Sequence, residues 1–421
     1  MPPRFSDLAI AAFAATLLAS PAAHAKQKES VFYSFGVTSA DASFPQDGLI
    51  ADKAGNMYGT AYGGGLNGEG AVFIVGANGL ETVIYSFTGG ANDGAQPNAG
   101  LVMDKKGNLF GTTLAGGPAN RGVVFELVPN GQSYTEKVLY SFCAQAGCAD
   151  GASLTGRVTL GAKGVLYGTT QVGGSAPGDS HINGVVWRLD PPKKHQTAWT
   201  ETVLYNFCSQ ANCTDGRGPY SAPLLAADGF LYGTAAFSQT GGTLYRLSPN
   251  GGGYQVLHTF GNTTADGATP ISALAADKDG VLYGTTRQGG GSNGCGTVYS
   301  FNPATFVYTQ LYAFCSQPND ARASYAGVTI IENAKSKVLY GNSLLGGAND
   351  LGTIYSLTAP QQAGDPWTEK VLYSFCPQSG CADGAEPGFG SPLRIGGAFY
   401  GTAMGGGAFN SGVVYRFGAP Q

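Results

Sequence analysis

The sequence predicts an all-β protein, a seven-bladed β-propeller with four antiparallel strands per blade. Three observations predict it. An aromatic-Gly-Thr triplet, or a near variant, recurs at Tyr58, Phe110, Tyr167, Tyr232, Tyr283, Tyr340 and Tyr400, with spacings of 51 to 65 residues. A Tyr-Ser-Phe signature, or a relaxed form, starts at Tyr33, Tyr85, Tyr140, Tyr205, His258, Tyr312 and Tyr373, so the two patterns alternate seven times. Composition agrees: 67 glycines in 421 residues and only 12% charged side chains exclude a helical bundle, a coiled coil and a charged disordered chain. Tyrosine and phenylalanine, 22 of each, suit pleated, half-buried surfaces.

The clearest unit runs from Gly100 to Phe142. Its short apolar or alternating runs predict strands over 101–103, 108–113, 123–128 and 137–142. Turns at 105–107 and 129–131 and a loop at Gly116 and Gly117 separate them. Four strands with short connections describe a propeller blade, whereas the rungs of a parallel β-helix are much shorter. Beyond residue 25 the chain opens on a fourth-strand signature, Val31 to Phe35, and it finishes on a third-strand signature, Val413 to Phe417. The ring therefore closes if the first strand completes the last blade, which removes an exposed edge.

Residues 1–25 read as a separate object. Arg4, an apolar run from Leu8 to Ala19 and the Ala23-His24-Ala25 ending predict a secretory signal peptide cleaved after Ala25. The run is too short for the roughly 20 residues that cross a bilayer. Residues 26–421 then form one propeller domain, expected to be secreted or periplasmic, monomeric and without a membrane span. With 23 basic and 27 acidic residues the formal charge is −4, so nucleic acid is not an expected partner.

The stretches Leu282 to Thr286, Gly289 to Gly291 and Gly296 to Tyr299 make up a pattern also seen in Leu109 to Thr113 and Asp93 to Pro97. It resembles the GloVer tandem repeat of secreted bacterial proteins, over residues 31 to 417. The resemblance implies a propeller-like array outside the cytoplasm and carries no catalytic residues.

Eight cysteines behind a signal peptide imply disulfides. Cys143 and Cys148, Cys208 and Cys213, and Cys376 and Cys381 share one spacing, each after a fourth strand, which makes local pairing the simplest connectivity. Cys295 and Cys315 lie ten residues either side of Thr305 and predict a cross-strand bridge. Zinc is the alternative for paired thiolates, disfavoured by the compartment and by the separation of the pairs on different blades, so no metal site is assigned to them.

The loops after the second and fourth strands share one face. Asp41, Asp93, Asp150, Asp215, Asp266, Asp320 and Asp383 occupy one repeat position there. Calcium, which takes six to eight oxygens, is one reading of such a ring. Turn chemistry is the preferred one, because an aspartate bonds nearby amides and the glycine that follows five of these supplies positive φ. Residues that repeat hold the ring, so a ligand site is sought among those that break the pattern. These are Tyr62, Arg121, Asp179, His181, Arg217, Tyr220, Arg287, Arg322 and Tyr325. Arginines beside aromatics suit planar anions and sugar rings.

The leading expectation is a secreted propeller that binds extracellular polysaccharide on this face. The alternatives are a polysaccharide lyase and a purely structural surface protein. In the lyase, His181 or Tyr220 would remove a proton while Arg217 or Arg287 neutralises a sugar carboxylate. Glycoside hydrolysis would need a carboxylate pair from among Glu69, Asp179, Asp350 and Glu386. No Gly-x-Ser-x-Gly elbow, His-Glu-x-x-His, phosphate loop or dinucleotide fingerprint is present.

Overall fold

The computed structural model describes residues 29–418, apart from 132, 176–182, 363 and 378. The expected signal peptide lies outside the described residues. The chain forms seven four-stranded antiparallel blades of a β-propeller, with the rim segment Ala385–Pro387 joining the sheet of the seventh. Blade 1 pairs Ile50–Ala51, Met57–Ala61, Ala71–Val75 and Glu81–Ser86 in that order. Blade 2 has Val102–Met103, Leu109–Thr112, Val123–Asn130 and Ser133–Ser141. Blades 3 to 6 repeat the plan over residues 159–206, 224–259, 275–313 and 329–374. Blade 7 takes Leu393–Ile395, Ala398–Gly405 and Val413–Phe417, and its outer strand is Glu29–Ser34 from the other end of the chain. The expected closure is therefore present.

One detail differs from the sequence expectation. The outer hairpin of blade 2 extends to Asn130 paired with Ser133, so Pro129 lies in the ladder rather than the turn. The reason is that an outer strand is half exposed and needs no continuous apolar run. Polar and intermediate residues alternate from Ser133 to Lys137 and still pair.

The core sits between blades, in seven clusters, one at each junction. The repeat signatures supply it. Phe35, Phe87, Phe142, Phe207, Phe260, Phe314 and Phe375 are buried, each against the third-strand aromatic of the next blade, with ring centroids 4.8 to 5.5 Å apart. That third-strand ring in turn lies across the glycine of the triplet. A Cβ on Gly59 would stand 2.5 Å from Phe73 Cζ, and one on Gly111 2.5 Å from Phe125 Cζ, so the position admits no side chain.

The last residue of the triplet ties one blade to the next. Thr60 Oγ1 donates to the Ala99 carbonyl, Thr112 to Gly156, Thr169 to Ser221, Thr285 to Ala326 and Thr402 to Asp47. Asn342 Nδ2 donates to Gly388 in the same place. At the junction of blades 4 and 5, Ser221 Oγ donates to Ser272 instead. All these acceptors lie just before a first strand, so the repeat fixes the segments that line the central channel.

All eight cysteines are paired, as 143–148, 208–213, 295–315 and 376–381. Four disulfides fit an oxidising, extracytoplasmic compartment. Among the described residues no helix is long and apolar enough to cross a membrane.

Candidate ligand-binding site

After each outer strand the chain makes an aspartate-centred turn, crosses the rim and descends into the channel. Asp41 shows the turn: its Oδ2 accepts from the Tyr33 hydroxyl at 2.9 Å and from the Gly36 and Val37 amides, while Oδ1 accepts from Ala42. Asp93, Asp150, Asp215, Asp320 and Asp383 likewise take the hydroxyl of the signature tyrosine and at least one turn amide. Asp266 takes His258 Nε2 where the repeat has tyrosine, which makes His258 part of the scaffold. The donors that meet these oxygens are those of turns, the chemistry preferred from the sequence.

The rim follows. The residues after each aspartate pair with the Gly-Gly loop of the next blade, as Ala42 with Gly64, Gly94 with Gly116 and Gly267 with Gly289. Both loop sets therefore occupy one face. Next comes a residue in the left-handed region: Phe44, Gln96, Ser153, Gly218, Thr269, Ala323 and Glu386, with φ from 51° to 62°. Only one of the seven is glycine, and proline follows in five blades, locking the descent into the channel.

The next three positions of each blade form the channel mouth, where a cavity of about 290 Å³ is lined by residues from all seven blades. Its lining is divided. Tyr220, Ile271, Tyr325 and Phe389 give blades 4 to 7 an aromatic and apolar wall, with Tyr325 and Phe389 rings 5.2 Å apart. Blades 1 to 3 contribute Asp47, Asn98, Thr155 and Arg157. Arg157 reaches from blade 3 to blade 1, where Nη2 donates to Asp47 Oδ1 at 2.6 Å and Nε to Oδ2 at 2.9 Å. The Gly48 and Gly100 amides complete the carboxylate, each at 2.6 Å.

Burial opposes ionisation of Asp47, but the Arg157 guanidinium and these amides more than offset it and hold the carboxyl below its ordinary value. The guanidinium needs space that only small neighbours leave. A Cβ on Gly48 would stand 2.8 Å from Nη2 and one on Gly100 2.7 Å from Nε.

The nine candidates read from the sequence separate clearly. Tyr220 and Tyr325 line the cavity, and the Arg287 guanidinium lies 5.1 Å from the centre of the Tyr325 ring. Burial pushes the Tyr220 phenol up, with Gln171 and the charge of Arg287 acting against it and Tyr325 with it, so these four groups share one environment. Arg322 is elsewhere, in a two-pronged ion pair with Asp350 whose Nε–Oδ1 distance is 2.7 Å. Arg217 pairs by its backbone with Phe237 on the rim, Tyr62 donates its amide to Phe44, and Arg121 is exposed. Asp179 and His181 lie outside the described residues.

Sequence reasoning missed Asp47, Arg157 and Phe389. Their signal was present. In register, the Arg157 position holds Gly48, Gly100, Ala222, Ala273, Gly327 and Gly390, and the Asp47 position holds Ala99, Gly156, Ser221, Ser272, Ala326 and Phe389. Against small residues on almost every other blade, these three break the pattern more sharply than the loop arginines.

A family model described as the Gloeobacter/Verrucomicrobia repeat matches residues 22–211 and again 178–415. No curated protein matches the chain. Among solved structures, an oligogalacturonate lyase from Vibrio parahaemolyticus is similar at 10% identity and TM-score 0.51, covering 94% of this chain and 98% of its own. A mutant puromycin hydrolase complexed with PGG is similar at 14% identity and TM-score 0.51, covering 87% of this chain and 51% of its own. The GH74 enzyme of Niastella koreensis shows 15% identity, TM-score 0.49 and coverage of 80% and 47%. At these identities the likeness establishes the fold alone.

Proposed function

We propose that this chain, which belongs to the Gloeobacter/Verrucomicrobia repeat family, is an extracytoplasmic propeller that binds carbohydrate at its channel mouth. The observation that carries the reading is the divided lining of the cavity. A sugar ring has apolar C–H faces and a polar hydroxyl edge. Tyr220, Tyr325 and Phe389 offer surfaces for the first, and Asn98 and Ser391, whose side chains meet no hydrogen-bond partner among the described residues, offer groups for the second. A cavity of about 290 Å³ is at the small end for ligand sites and suits one sugar unit of a longer chain rather than several.

The fold does not choose among chemistries, since a lyase and a puromycin hydrolase both share it. The lyase reading draws little from Tyr220, because burial raises its phenol and a proton acceptor needs the opposite. Asp350, a member of the hydrolytic carboxylate set, is held by Arg322, and neither Glu69 nor Glu386 lines the cavity. On the residues the structure describes, binding is therefore the reading the mouth supports best.

Calorimetric titration against a panel of oligosaccharides tests it. A binder should emerge whose affinity falls about tenfold or more in Tyr325→Ala and Phe389→Ala. Binding that survives both substitutions would place the ligand elsewhere.

A further inference from the structure

The charge balance at the mouth narrows the ligand class, and the argument rests on the carbohydrate reading above. Among the described residues Asp47 is the one carboxylate in the lining, and Arg157 pairs with it while two amides donate to it. Tyr220, with its phenol pushed up, stays uncharged near neutrality. The remaining described residues of the lining carry no charge. The cavity would thus be neutral but for Arg287, at its edge.

Arg287 is placed by the fold. Its amide donates to the Thr269 carbonyl at 3.1 Å, which ties the loop after the second strand of blade 5 to the left-handed residue before the channel. Its guanidinium rests on Tyr325, a wall of the cavity, and meets no carboxylate among the described residues. Arg157, Arg188 and Arg322, by contrast, are each closed by an aspartate. Stacking on an aromatic face leaves the edge N–H groups of a guanidinium free, and those groups match a carboxylate in pairs. A guanidinium held on the wall of this cavity, with no carboxylate beside it among the described residues, calls for an anionic partner, in a chain of net charge −4.

We infer that the sugar bound at the mouth carries a carboxylate, as a uronic acid does, and that Arg287 receives it while the ring packs on Tyr325 and Phe389.

The test compares oligogalacturonate with its methyl ester, which keeps the shape and removes the charge, by calorimetry at low and high salt. The parent should bind the acid roughly tenfold to a hundredfold more tightly than the ester, with salt weakening the acid alone. Arg287→Gln should erase that difference while the ester binds as before. Acid and ester of equal affinity in the parent, both sensitive to Tyr325→Ala, would overturn the carboxylate inference and leave the carbohydrate reading standing. Binding of neither would overturn both. A charge preference that persists in Arg287→Gln would move the carboxylate to another group and likewise overturn the assignment. Circular dichroism of Arg287→Gln, an edge substitution, checks that the ring is intact.

Discussion

Tyr308, on the outer strand of blade 5, donates its hydroxyl to the carboxylate of Asp266 at 3.1 Å, across the junction with blade 4. Four residues before each signature aromatic, the same position holds Glu29, Glu81, Glu136, Glu201, Tyr254, Tyr308 and Glu369. Five junctions thus set a glutamate where Tyr308 sets a donor, and a glutamate donates only when protonated.

The four of these glutamates at Glu81, Glu136, Glu201 and Glu369 titrate high. Burial first, and then the charge of Asp41, Asp93, Asp150 and Asp320 respectively, raises them from 4.5 to about 8, 7, 7 and 8. Tyr33, Tyr85, Tyr140 and Tyr312 complete the sites and are themselves raised, so they stay neutral. Between 4.5 and 7 to 8 the folded state holds protons that the unfolded chain has lost. This contribution is full below 4.5 and disappears as pH rises through 7 to 8. Melting temperature should therefore fall from pH 5.5 to pH 9. Replacing all four glutamates with glutamine should flatten that slope, and an unchanged slope would refute the assignment.

Tyr308 supplies the complementary test. Tyr308→Phe should cost about 1 kcal/mol at every pH, because Asp266 loses one donor but keeps His258 and two amides. Tyr308→Glu should instead add a further pH-dependent junction, stable at pH 5.5 and weakened at pH 9. Urea titrations at the two pH values distinguish them.

The Arg157–Asp47 pair acts at the opposite end of the pH scale. The Asp47 carboxyl is held below its ordinary value of 3.8, so its contribution is present above 3.8 and lost as pH falls through the lower folded value. Arg157→Ala should cost about 3 to 5 kcal/mol by stranding a buried carboxylate. The double variant Arg157→Met with Asp47→Ala should recover most of it, since no charge is then left uncompensated. Chemical denaturation of the single and double variants measures the difference.

Of the four disulfides, Cys295–Cys315 closes the longest segment, 20 residues, joining the start of the third strand of blade 5 to the end of the fourth. Removing it with paired serines should cost about 3 kcal/mol on loop entropy, and the short-loop bridges less. Peptide mapping of unreduced protein should recover all four pairs.

Closure carries the largest expected effect. Deleting residues 29–36 removes the outer strand of blade 7 and Phe35, which packs on Phe73 of blade 1. Loss well above about 4 kcal/mol is expected, since an edge and two junctions open together. A melting temperature like that of the parent would contradict the closed ring.

Blade number, closure and the disulfide pairs were legible because each depends on a residue type that repeats at a fixed place. Signature phenylalanines need a junction to fill, the triplet glycine needs a ring above it, and each aspartate needs a turn. The mouth was legible only in part. Tyr220, Tyr325 and Arg287 stood out as breaks in the pattern, but Arg322 broke it equally and is closed by Asp350. Local sequence does not reveal which loop residues face a partner and which face a cavity. Asp47 and Arg157 lie 110 positions apart, on blades 1 and 3, and neither signals the other in sequence. Only closing the ring brings their segments to one channel, where the space left by Gly48 and Gly100 lets a guanidinium reach a carboxylate. The sequence by itself determined the scaffold, whose contacts are the same few interactions repeated. The tertiary structure decided the site, because a cavity built from short segments of seven blades exists only once the blades are in place.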